Sequence, residues 1–529
     1  MMIGPILYLN VAQRNVSSGG YIAVSLYGII IVSYYVLQSV LAVLNHFSMN
    51  RVSNLSRFDT NKRHVLVVVG YREDPDLFRG CLEAADLISG IENIIVVVDG
   101  CDAEDEGMVD VFKDTLNGTV MTIDDDISMA TSSQTLDTVK QILETKKSIC
   151  ISQPHLGKRE ALYTGIINAI NCSYDAVLLT DSDTCIDRDA LRELSKVLFA
   201  NENTAAVTGD VKILNAVSLV SFLASVKYYL AFNIDRGAQS LFGCVGCVSG
   251  PLGLYKLSCV SDVIEDWKTQ SFLGSQCTFG DDRHLTNRVL SLGRNVKYTH
   301  KAVCFTETPT GLHKWILQQT RWSKSFFREL FFCVSWIDKQ SLWLSFELVY
   351  QTFYPFLVTG IVVYILVMRS FTVIVFWMVV VFCLNLLRGV VVALIECDLR
   401  FIFVSLYSIV YVGLTIPIRV YALITLFTSG GSWLTSSRIQ KQTWVWSSVI
   451  LPVAWVSFIT AFFIRALVVE TRHSTTTREF YVSLIALGTL FLVVAVKLSC
   501  LLIMKACGAL HLRSIKLLPT TTTTTSTSA

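Results

Sequence analysis

The sequence has few charged residues for its length of 529. Asp, Glu, Lys and Arg make up 16% of it and hydrophobic residues 52%, whereas a soluble chain is usually about a quarter charged. This shortage excludes a wholly soluble protein and predicts that a large part of the chain lies in a lipid bilayer. The net charge is only +2 and no basic run is interleaved with aromatic residues, so we expect no nucleic-acid partner.

Paired cysteine motifs are also scarce. Fifteen cysteines are scattered along the chain, and only Cys244 and Cys247 have CxxC spacing, with no second CxxC or CxxH after them. We therefore favour buried thiols in a reducing compartment over a zinc site or a disulfide. Residues 1–19 contain no apolar core followed by a cleavage site, so a signal peptide is not predicted.

Long uncharged runs are present instead. Residues 20–47 carry no Asp, Glu, Lys or Arg and are long enough to cross a bilayer. Basic residues follow this run, which places the next domain in the cytoplasm by the positive-inside rule. Five more candidate spans follow residue 340: 342–368, 371–395, 401–427, 447–469 and 480–504.

The third of these candidates is interrupted. Pro417 and Arg419 lie inside residues 401–427. If this segment lies at the inner membrane face, the basic segment 428–446 falls in the cytoplasm, as the charge rule prefers. We therefore predict four C-terminal spans, with 401–427 packed at the inner face.

Residues 64–310 have the pattern of an α/β domain. Short β-branched runs at 64–70 and 93–98 flank a segment with helical spacing, and this alternation predicts a parallel sheet. Asp99 and Asp181 directly follow predicted strands. Open α/β sheets bind ligands at the carboxyl ends of their strands, so both are candidate ligand-binding residues.

Two acidic pairs suit the transfer of a sugar from a nucleotide diphosphate. Asp181 and Asp183 form a DxD triplet that suits Mg²⁺ and a ribose hydroxyl, although such triplets also occur by chance. Asp281 and Asp282 offer a base for an acceptor hydroxyl. The alternative for the second pair is a helix N-cap with first-turn acids, and both interpretations can hold together.

Three further features fit the same chemistry. Gln318, Arg321 and Trp322 share one face of a predicted helix, where Arg can meet diphosphate oxygens and indole can support a sugar ring; the alternative is an amphipathic helix lying on lipid headgroups. The Ser249-Gly250-Pro251 turn allows close backbone approach to a ligand. Lys158 and Arg159 can reach phosphates or can be ordinary surface residues.

The order of these motifs resembles that of the membrane-integrated, processive family-two glycosyltransferases, and most closely the animal-type (class I) hyaluronan synthases. The resemblance covers roughly residues 20–505. The phrases that carry it are GYREDPDLFRGCL (70–82), GKRE (157–160), DSDT (181–184), GDVKILN (209–215), YLAFNIDRGAQSLFGCVGCVSGPLGLY (229–255), CTFGDDRHLTNRVLSLG (277–293) and QQTRWSKSFFRE (318–329).

The resemblance implies a cytosolic GT-A (Rossmann-like) domain combined with an α-helical transmembrane domain and amphipathic interface helices, in a multi-pass plasma-membrane protein. It implies alternating, inverting transfer of GlcNAc and GlcA from UDP-GlcNAc and UDP-GlcA with Mg²⁺ or Mn²⁺, and export of the growing hyaluronan chain through the bilayer. A chitin-synthase-like polymerase that uses UDP-GlcNAc alone is the alternative. Homo-oligomerisation is left open.

By the same resemblance, Asp183 holds the metal, Asp282 is the preferred base and Asp281 the reserve. The expected substrate-binding residues are Asp99, Lys158, Arg159, Asp181, Cys247, Ser249, Gly250, Gln318, Arg321, Trp322, Trp433 and Arg438. The implied domains are 1–50 (N-terminal transmembrane segment), 51–310 (GT-A domain), 311–340 (interface helix with QxxRW), 341–510 (channel domain with a cytosolic gating loop at 428–446) and 511–529 (disordered Thr-rich tail).

Two departures from the family pattern are visible. The family has two N-terminal spans, whereas this chain shows one, so we expect either a different N-terminus or a sequence incomplete there. The family also has a Trp-Gly-Thr-Ser-Gly-Arg-like loop, and residues 433–438 here read Trp-Leu-Thr-Ser-Ser-Arg. Because both glycines are replaced, we expect slower loop closure over the donor.

Overall fold

The computed structural model describes residues 18–102, 105–123, 127–367, 371–396, 398–429 and 446–473. The chain begins there with one long helix and then alternates strands and helices up to residue 306. The strands are β1 His64–Gly70, β2 Asn93–Val98, β3 Thr119–Thr122, β4 Ser148–Ser152, β5 Ala176–Asp181, β6 Cys185–Ile186, β7 Thr204–Ile213, β8 Gly253–Lys256, β9 Ser271–Phe272, β10 Ser275–Gln276 and β11 Asn295–Thr306.

Helices cover both faces of the strands and make up the C-terminal part. In the N-terminal part they are α1 Ser18–Leu55, α2 Pro75–Asp86, α3 Glu106–Leu116, α4 Ser133–Thr145, α5 Lys158–Asn171, α6 Ala190–Phe199, α7 Leu219–Tyr229, α8 Gly237–Leu241, α9 Leu257–Ser261, α10 Ile264–Lys268 and α11 Asp281–Ser291. Those that follow are α12 Leu312–Cys333, α13 Leu342–Val367, α14 Phe371–Glu396, α15 Val404–Val410, α16 Ile416–Ser429 and α17 Trp446–His473.

Nine strands form one sheet in the order β3-β4-β2-β1-β5-β8-β7-β11-β6. Strands β1 and β2 are buried along their whole length, as expected for apolar, β-branched strands covered on both faces. The predicted parallel pairing is confirmed for β1 with β2 and with β5. It is wrong for β8, which pairs antiparallel with both β5 and β7, so the sheet is mixed.

The reversed direction of β8 matters for the site. Gly253, its first residue, pairs with Leu179 near the carboxyl end of β5. The turn at residues 249–251, which leads into β8, therefore arrives at the same sheet edge as Asp181. A parallel strand at this position would have its carboxyl end at this edge, and the turn that precedes it would lie at the opposite edge of the sheet.

Long apolar helices lie beyond the α/β domain. Within the described ranges, four helical segments are long and apolar enough to cross a bilayer: Gly28–Leu55, Leu342–Tyr364, Leu399–Phe427 and Ser448–Arg465. Trp377–Val390 in α14 is a shorter apolar helix. Gly28–Leu55, Leu342–Tyr364 and Ser448–Arg465 agree with segments predicted to span. Leu399–Phe427 is also long and apolar enough to span, although we predicted that it lies at the inner face.

The segment Leu399–Phe427 is not one regular helix. A 3-10 turn at Leu399–Phe403, α15, a π-helical turn at Tyr411–Thr415 and α16 follow one another, and Pro417 lies near the start of α16. Its placement at the inner face stays a prediction. The predicted span 480–504, most of the gating loop 428–446, the tail 511–529 and residues 1–17 lie outside the described residues.

Candidate active site

A cavity of about 640 Å³ opens at the edge of the sheet where β1, β2 and β5 end. It is bounded by the start of α11 and by α12, and it extends to residues of α13 and α16. The predicted site residues that line it are Asp99, Lys158, Asp181, Asp183, Cys247, Ser249, Gly250, Asp281, Asp282, Gln318, Arg321 and Trp322.

Asp99 lies directly after β2 and is buried. Its carboxylate accepts hydrogen bonds from the backbone N–H groups of Leu156 (3.1 Å) and Gly157 (2.9 Å), and His155 Nδ1 lies 2.8 Å from Oδ2. Burial raises the pKa of Asp99, and His155 and these N–H groups oppose that rise. The His155 ring stacks on Tyr71 with ring centroids 3.9 Å apart, so an aromatic wall adjoins this carboxylate.

Lys158 and Arg159 are the first two residues of α5, but they pair with different carboxylates of the site. The Lys158 ammonium is paired with the Asp181 carboxylate at the end of β5. The Arg159 guanidinium is buried, donates to Asp281 Oδ1 (2.6 Å) and Gln270 Oε1 (3.0 Å), and is not among the residues lining the cavity. The expectation that Arg159 reaches UDP phosphates stays a prediction; in the structure its guanidinium is paired with Asp281.

Asp183 lies two residues beyond β5. Its Oδ1 accepts hydrogen bonds from the hydroxyls of Thr184 (3.1 Å) and Thr306 (3.3 Å). Burial, together with the nearby carboxylates of Asp181 and Glu73, raises the pKa of Asp183 to about 6. Carboxylates this close together repel one another, and a bound cation would reduce that repulsion.

The turn before β8 approaches the DxD triplet closely. A Cβ atom added at Gly250 would lie 3.2 Å from Asp181 Oδ2. The Ser249 N–H is 3.4 Å from the Thr208 hydroxyl of β7, which fixes the turn to the sheet. A side chain at position 250 would therefore fill space beside the carboxylate.

The adjacent carboxylates Asp281 and Asp282 occupy the first turn of α11 and have different surroundings. The predicted first-turn acids are confirmed, but the capping position itself belongs to Gly280 and no side chain caps the helix there. Asp281 is buried, and burial opposes its ionisation, but the charges of Arg159, Lys158 and Arg328 together with the hydrogen bond from Arg159 outweigh burial, so its pKa is lowered. Asp282 is half-buried and accepts a hydrogen bond from its neighbour Arg283 N (2.7 Å).

Cys247 adjoins the second carboxylate. Its Sγ lies 3.6 Å from Asp282 Oδ2. Burial, followed by the charge of Asp282, raises the pKa of this thiol to about 11. The thiol therefore remains protonated near neutral pH and can donate to the carboxylate.

A buried polar network, which sequence reasoning missed, ties α11 to α12. Glu329 accepts hydrogen bonds from Gln270 Nε2 (2.6 Å), His284 Nδ1 (2.9 Å) and Asn287 Nδ2 (3.2 Å). Burial works against ionisation of Glu329, but His284, Arg328 and Gln270 hold its pKa at about 2. His284, Asn287 and Glu329 lie in segments that carry the family resemblance, but no local pattern predicts their pairing, because the partners are far apart in the chain.

Gly280 allows α11 and α12 to meet. Its φ is +78°, and an added Cβ would lie 2.1 Å from Ser325 Oγ and 2.8 Å from Ser325 Cβ. Arg328 NH2 also donates to the carbonyl of Phe279 at 2.6 Å. The residue before the acidic pair is therefore held directly against α12.

The QxxRW residues lie on α12 as the spacing predicted. Gln318, Arg321 and Trp322 all line the cavity, and the Trp322 side chain is 38% exposed, which leaves an indole face open to a ligand. The Trp322 and Tyr228 ring centroids are 6.1 Å apart. Trp433 and Arg438, expected to contact the diphosphate, lie outside the described residues.

The cavity continues toward the candidate spans. Gln351 of α13 and Arg419 of α16 are among its lining residues, and Arg419 NH1 donates to the Gln351 carbonyl at 2.9 Å. Polar side chains that line a cavity within apolar helices are typical of substrate pathways. One continuous space thus reaches from Asp99 at the sheet edge to the apolar helices.

Comparison with known proteins defines the class first. Residues 61–325 match the family model described as "Glycosyltransferase like family 2", which covers β1 through most of α12 and includes both acidic pairs. The mixed sheet with the DxD triplet at its edge is thus a GT-A-like domain, and the protein is a glycosyltransferase. The mannosyltransferase PcManGT from Pyrobaculum calidifontis, in complex with GDP-Man and Mn²⁺, is similar at 15% identity with a TM-score of 0.36, covering 84% of this chain and 98% of that one.

The curated relatives define the family within that class. The chain is 37% identical over 509 residues to "Hyaluronan synthase 3" of Homo sapiens, covering 92% of this chain and 90% of the relative. It is 38% identical over 434 residues to "Hyaluronan synthase 2" of Homo sapiens, covering 79% and 77%. The chain belongs to the animal-type hyaluronan synthases, membrane-associated enzymes of polysaccharide synthesis.

Proposed function

We propose that this enzyme builds hyaluronan processively by alternating, inverting transfer of GlcNAc and GlcA from UDP-sugars, and exports the polymer through its apolar helices. The observation that carries this proposal is the single cavity that joins the acidic sheet edge, Asp282 and the QxxRW face to Gln351 and Arg419. Donor binding, acceptor activation and exit then share one space. The domain limits stated above, the cytosolic position of the α/β domain and a multi-pass plasma-membrane location belong to the same proposal.

The donor end is proposed to bind the UDP moiety. Asp99 and the backbone around Gly157 suit the nucleoside, beside the Tyr71–His155 stack. Lys158 and Asp181 lie where the diphosphate and ribose would meet. Both positions follow from the carboxyl ends of β2 and β5, where α/β sheets bind ligands.

Asp183 fits a divalent cation, either Mg²⁺ or Mn²⁺. Among the described residues, the hydroxyls of Thr184 and Thr306 both donate to its Oδ1, and Asp181 and Glu73 supply further negative charge. Among the described residues, no group of three His, Cys, Asp or Glu forms a site from protein ligands alone. This agrees with Mg²⁺, which is commonly held by one or two carboxylates plus substrate phosphates. When bound, the cation would neutralise the diphosphate leaving group.

Asp282 is the proposed base. The acceptor hydroxyl oxygen forms a bond to the anomeric carbon, the bond from that carbon to the diphosphate breaks, and the hydroxyl proton passes to the Asp282 carboxylate. Asp281 is less suited because Arg159 occupies one of its oxygens and lowers its pKa. Displacement from the opposite side inverts the anomeric configuration.

Arg321 and Trp322 complete the proposed reaction centre. Arg321 stabilises charge on the departing UDP, as cations do at developing phosphate charge. Trp322 supports the terminal sugar of the acceptor, and Gln318 stands one turn before it on the same face. Holding the acceptor in line supplies part of the barrier reduction.

The test is polymer formation by the purified full chain in detergent with Mg²⁺. It is supplied with UDP-GlcNAc, UDP-GlcA or both, and UDP release and product mass are measured. We expect high-mass polymer only with both donors, and digestion of that polymer by a hyaluronan-specific lyase. Polymer from UDP-GlcNAc alone would indicate chitin-like synthesis instead, and removal of divalent cations with EDTA should stop UDP release.

A further inference from the structure

A short segment beside the proposed base is held in place by side chains. Residues 246–248 lie between α8 and β8, outside the helices and strands, and they line the cavity. The Gly246 N–H donates to Gln239 Oε1 (3.2 Å), and the Cys247 carbonyl accepts from Arg236 Nε (3.0 Å). Because backbone polar groups away from water need partners, these two side chains fix two consecutive peptide groups of the segment.

The same segment is also bonded to the start of α11. The Val248 N–H donates to Thr286 Oγ1 (2.9 Å), and the buried Thr286 hydroxyl donates to the Asp282 carbonyl (2.7 Å). Cys247 Sγ lies 3.6 Å from Asp282 Oδ2, while the Arg283 N–H donates to Oδ1. Both oxygens of the proposed base therefore have a donor, and the donor to Oδ2 belongs to the held segment.

Arg236 is itself held in one orientation. It is the last residue of the π-helical turn Leu230–Arg236, which joins α7 to α8. Its Nη1 donates to the Ala231 carbonyl (3.4 Å), and its guanidinium lies 3.8 Å from the centroid of the Phe232 ring. π-helical turns are rare and occur frequently at functional sites. Here the turn aims a fixed guanidinium at the Cys247 carbonyl.

The π-helical turn is anchored to rigid parts of the fold. The buried Asn233 donates to Asp210 Oδ1 of β7 (2.9 Å) and accepts from the Tyr298 hydroxyl of β11 (2.8 Å). Gly237, the next residue after the turn, packs against α1, and a Cβ added there would lie 3.2 Å from the Ala42 Cβ. The side chains that hold residues 246–248 are therefore supported by the sheet and by a long helix, as a precise site requires.

We propose that Arg236 and Gln239 are positioning residues that hold residues 246–248 so that the Cys247 thiol orients the Asp282 carboxylate toward the acceptor hydroxyl. This rests on the proposed function, because it adds a role at the same base. Neither side chain touches substrate in this role, since both act through Cys247. A base that is held in its reactive orientation raises kcat, so the loss of either side chain should lower kcat and leave KM nearly unchanged.

The first test measures UDP release by Arg236→Gln and Gln239→Leu in the purified full chain, with both donors and Mg²⁺. We expect kcat to fall about fivefold in each variant, with the KM for both UDP-sugars changed by less than about twofold. Arg236→Lys keeps the charge but loses the Nε donor, so it should resemble Arg236→Gln. Arg192→Gln, a change at an exposed arginine of α6, is the control and should resemble the wild type.

A double-mutant cycle tests whether Arg236 acts through Cys247. Cys247→Ala removes the thiol, so adding Arg236→Gln to it should lower kcat by less than about twofold further. Independent losses that multiply to about 25-fold would overturn the proposal. Full activity in Arg236→Lys would also overturn it, because charge alone would then suffice. A rise in KM at unchanged kcat would overturn it as well, by assigning Arg236 to substrate binding.

Alkylation of Cys247 provides a measurement that needs no catalysis. Burial and the charge of Asp282 raise the pKa of this thiol, and release of the segment weakens both effects. Iodoacetamide should therefore modify Cys247 about fivefold faster in Gln239→Leu than in the wild type, as followed by mass spectrometry of the peptide that carries it. An unchanged rate would overturn the positioning role even if the enzyme makes hyaluronan. A faster rate in a protein that makes no hyaluronan would support the positioning role and reject only the proposed function.

Discussion

The two ends of the cavity differ in how charge is balanced. At the sheet edge, carboxylates are held by groups of the protein itself: Lys158 pairs with Asp181, Arg159 with Asp281, and backbone N–H groups with Asp99. At the end lined by α7, α13 and α16, Lys227 and Arg419 donate hydrogen bonds to neutral oxygens of Gln319 and Gln351, and the carboxylates of Asp235 and Glu347 also line the cavity. The sheet edge is therefore held by close ion pairs, whereas Lys227 and Arg419 are held by hydrogen bonds to neutral groups.

The difference reflects what each end has to do. The donor end must present carboxylates in a fixed geometry before the substrate arrives, so fixed partners orient them in advance. We propose that the other end contacts the acceptor through weaker, exchangeable bonds, because a growing polymer has to move past it. Asp282 also lines the cavity, and its carboxylate accepts a hydrogen bond from the backbone N–H of Arg283, whereas the carboxylate of Asp281 is held by the Arg159 guanidinium.

The largest effect on activity should come from a substitution of Asp282. Asp282→Asn removes the proposed base, so we expect transfer to fall by about 10²–10⁴-fold while UDP-sugar binding is retained. UDP release and UDP-sugar affinity are measured on the same preparation. Asp262→Asn, a change at an exposed aspartate, is the control and should keep full activity. Near-normal polymer output from Asp282→Asn would remove Asp282 as the base.

The buried hydrogen-bond network around Glu329 should lose its stabilising effect when the pH falls. Glu329 has its pKa held at about 2, below the ordinary 4.5, so the stability it adds is present above pH 4.5 and is lost as the pH falls toward 2. Glu329→Gln should lower the free energy of unfolding at neutral pH by about 2–3 kcal/mol and lose less on acidification. Thermal unfolding in detergent across this range measures both.

An exposed pair provides the control for this experiment. Glu92 pairs with Arg63 at 2.8 Å, and both side chains are 44% exposed. Glu92→Gln should therefore change the free energy of unfolding by less than about 1 kcal/mol. If Glu329→Gln were as mild, the buried network would not be what joins α11 to α12.

A substitution at Arg159 can distinguish two roles for this residue: positioning of Asp281 at the start of α11, or binding of the nucleotide. Lysine cannot reproduce both the contact with Asp281 and that with Gln270, because it lacks the planar fork of arginine. We expect Arg159→Lys to lower kcat by about tenfold with little change in the KM for UDP-sugars. A large rise in KM at unchanged kcat would instead support the earlier expectation that Arg159 binds UDP.

The smallest effect is expected at Cys247. Because burial and Asp282 raise its pKa to about 11, the thiol is almost wholly protonated at neutral pH and should react slowly with iodoacetamide. Cys247→Ser keeps a donor near Asp282, so activity should change by less than about threefold. Rapid alkylation at neutral pH would show that the carboxylate is arranged differently.

Some elements could be read from the sequence because their signals are local. The β-branched runs at 64–70 and 93–98 gave strands with the predicted partners, and the QxxRW spacing placed its three residues on one helix face. Asp99, Asp181 and Asp183 were identified from their positions after strands. The long apolar segments marked the candidate spans by composition alone.

Other features depended on contacts between distant segments. The antiparallel direction of β8, the pairing of Arg159 with Asp281 and the Glu329 network each join residues far apart in the chain. The sequence by itself determined which side chains were available and on which face of each element they lie, because strand and helix periodicity are local. Only the tertiary structure decided which charges pair with one another and which side chains line the cavity, because pairing depends on distances that no local pattern encodes.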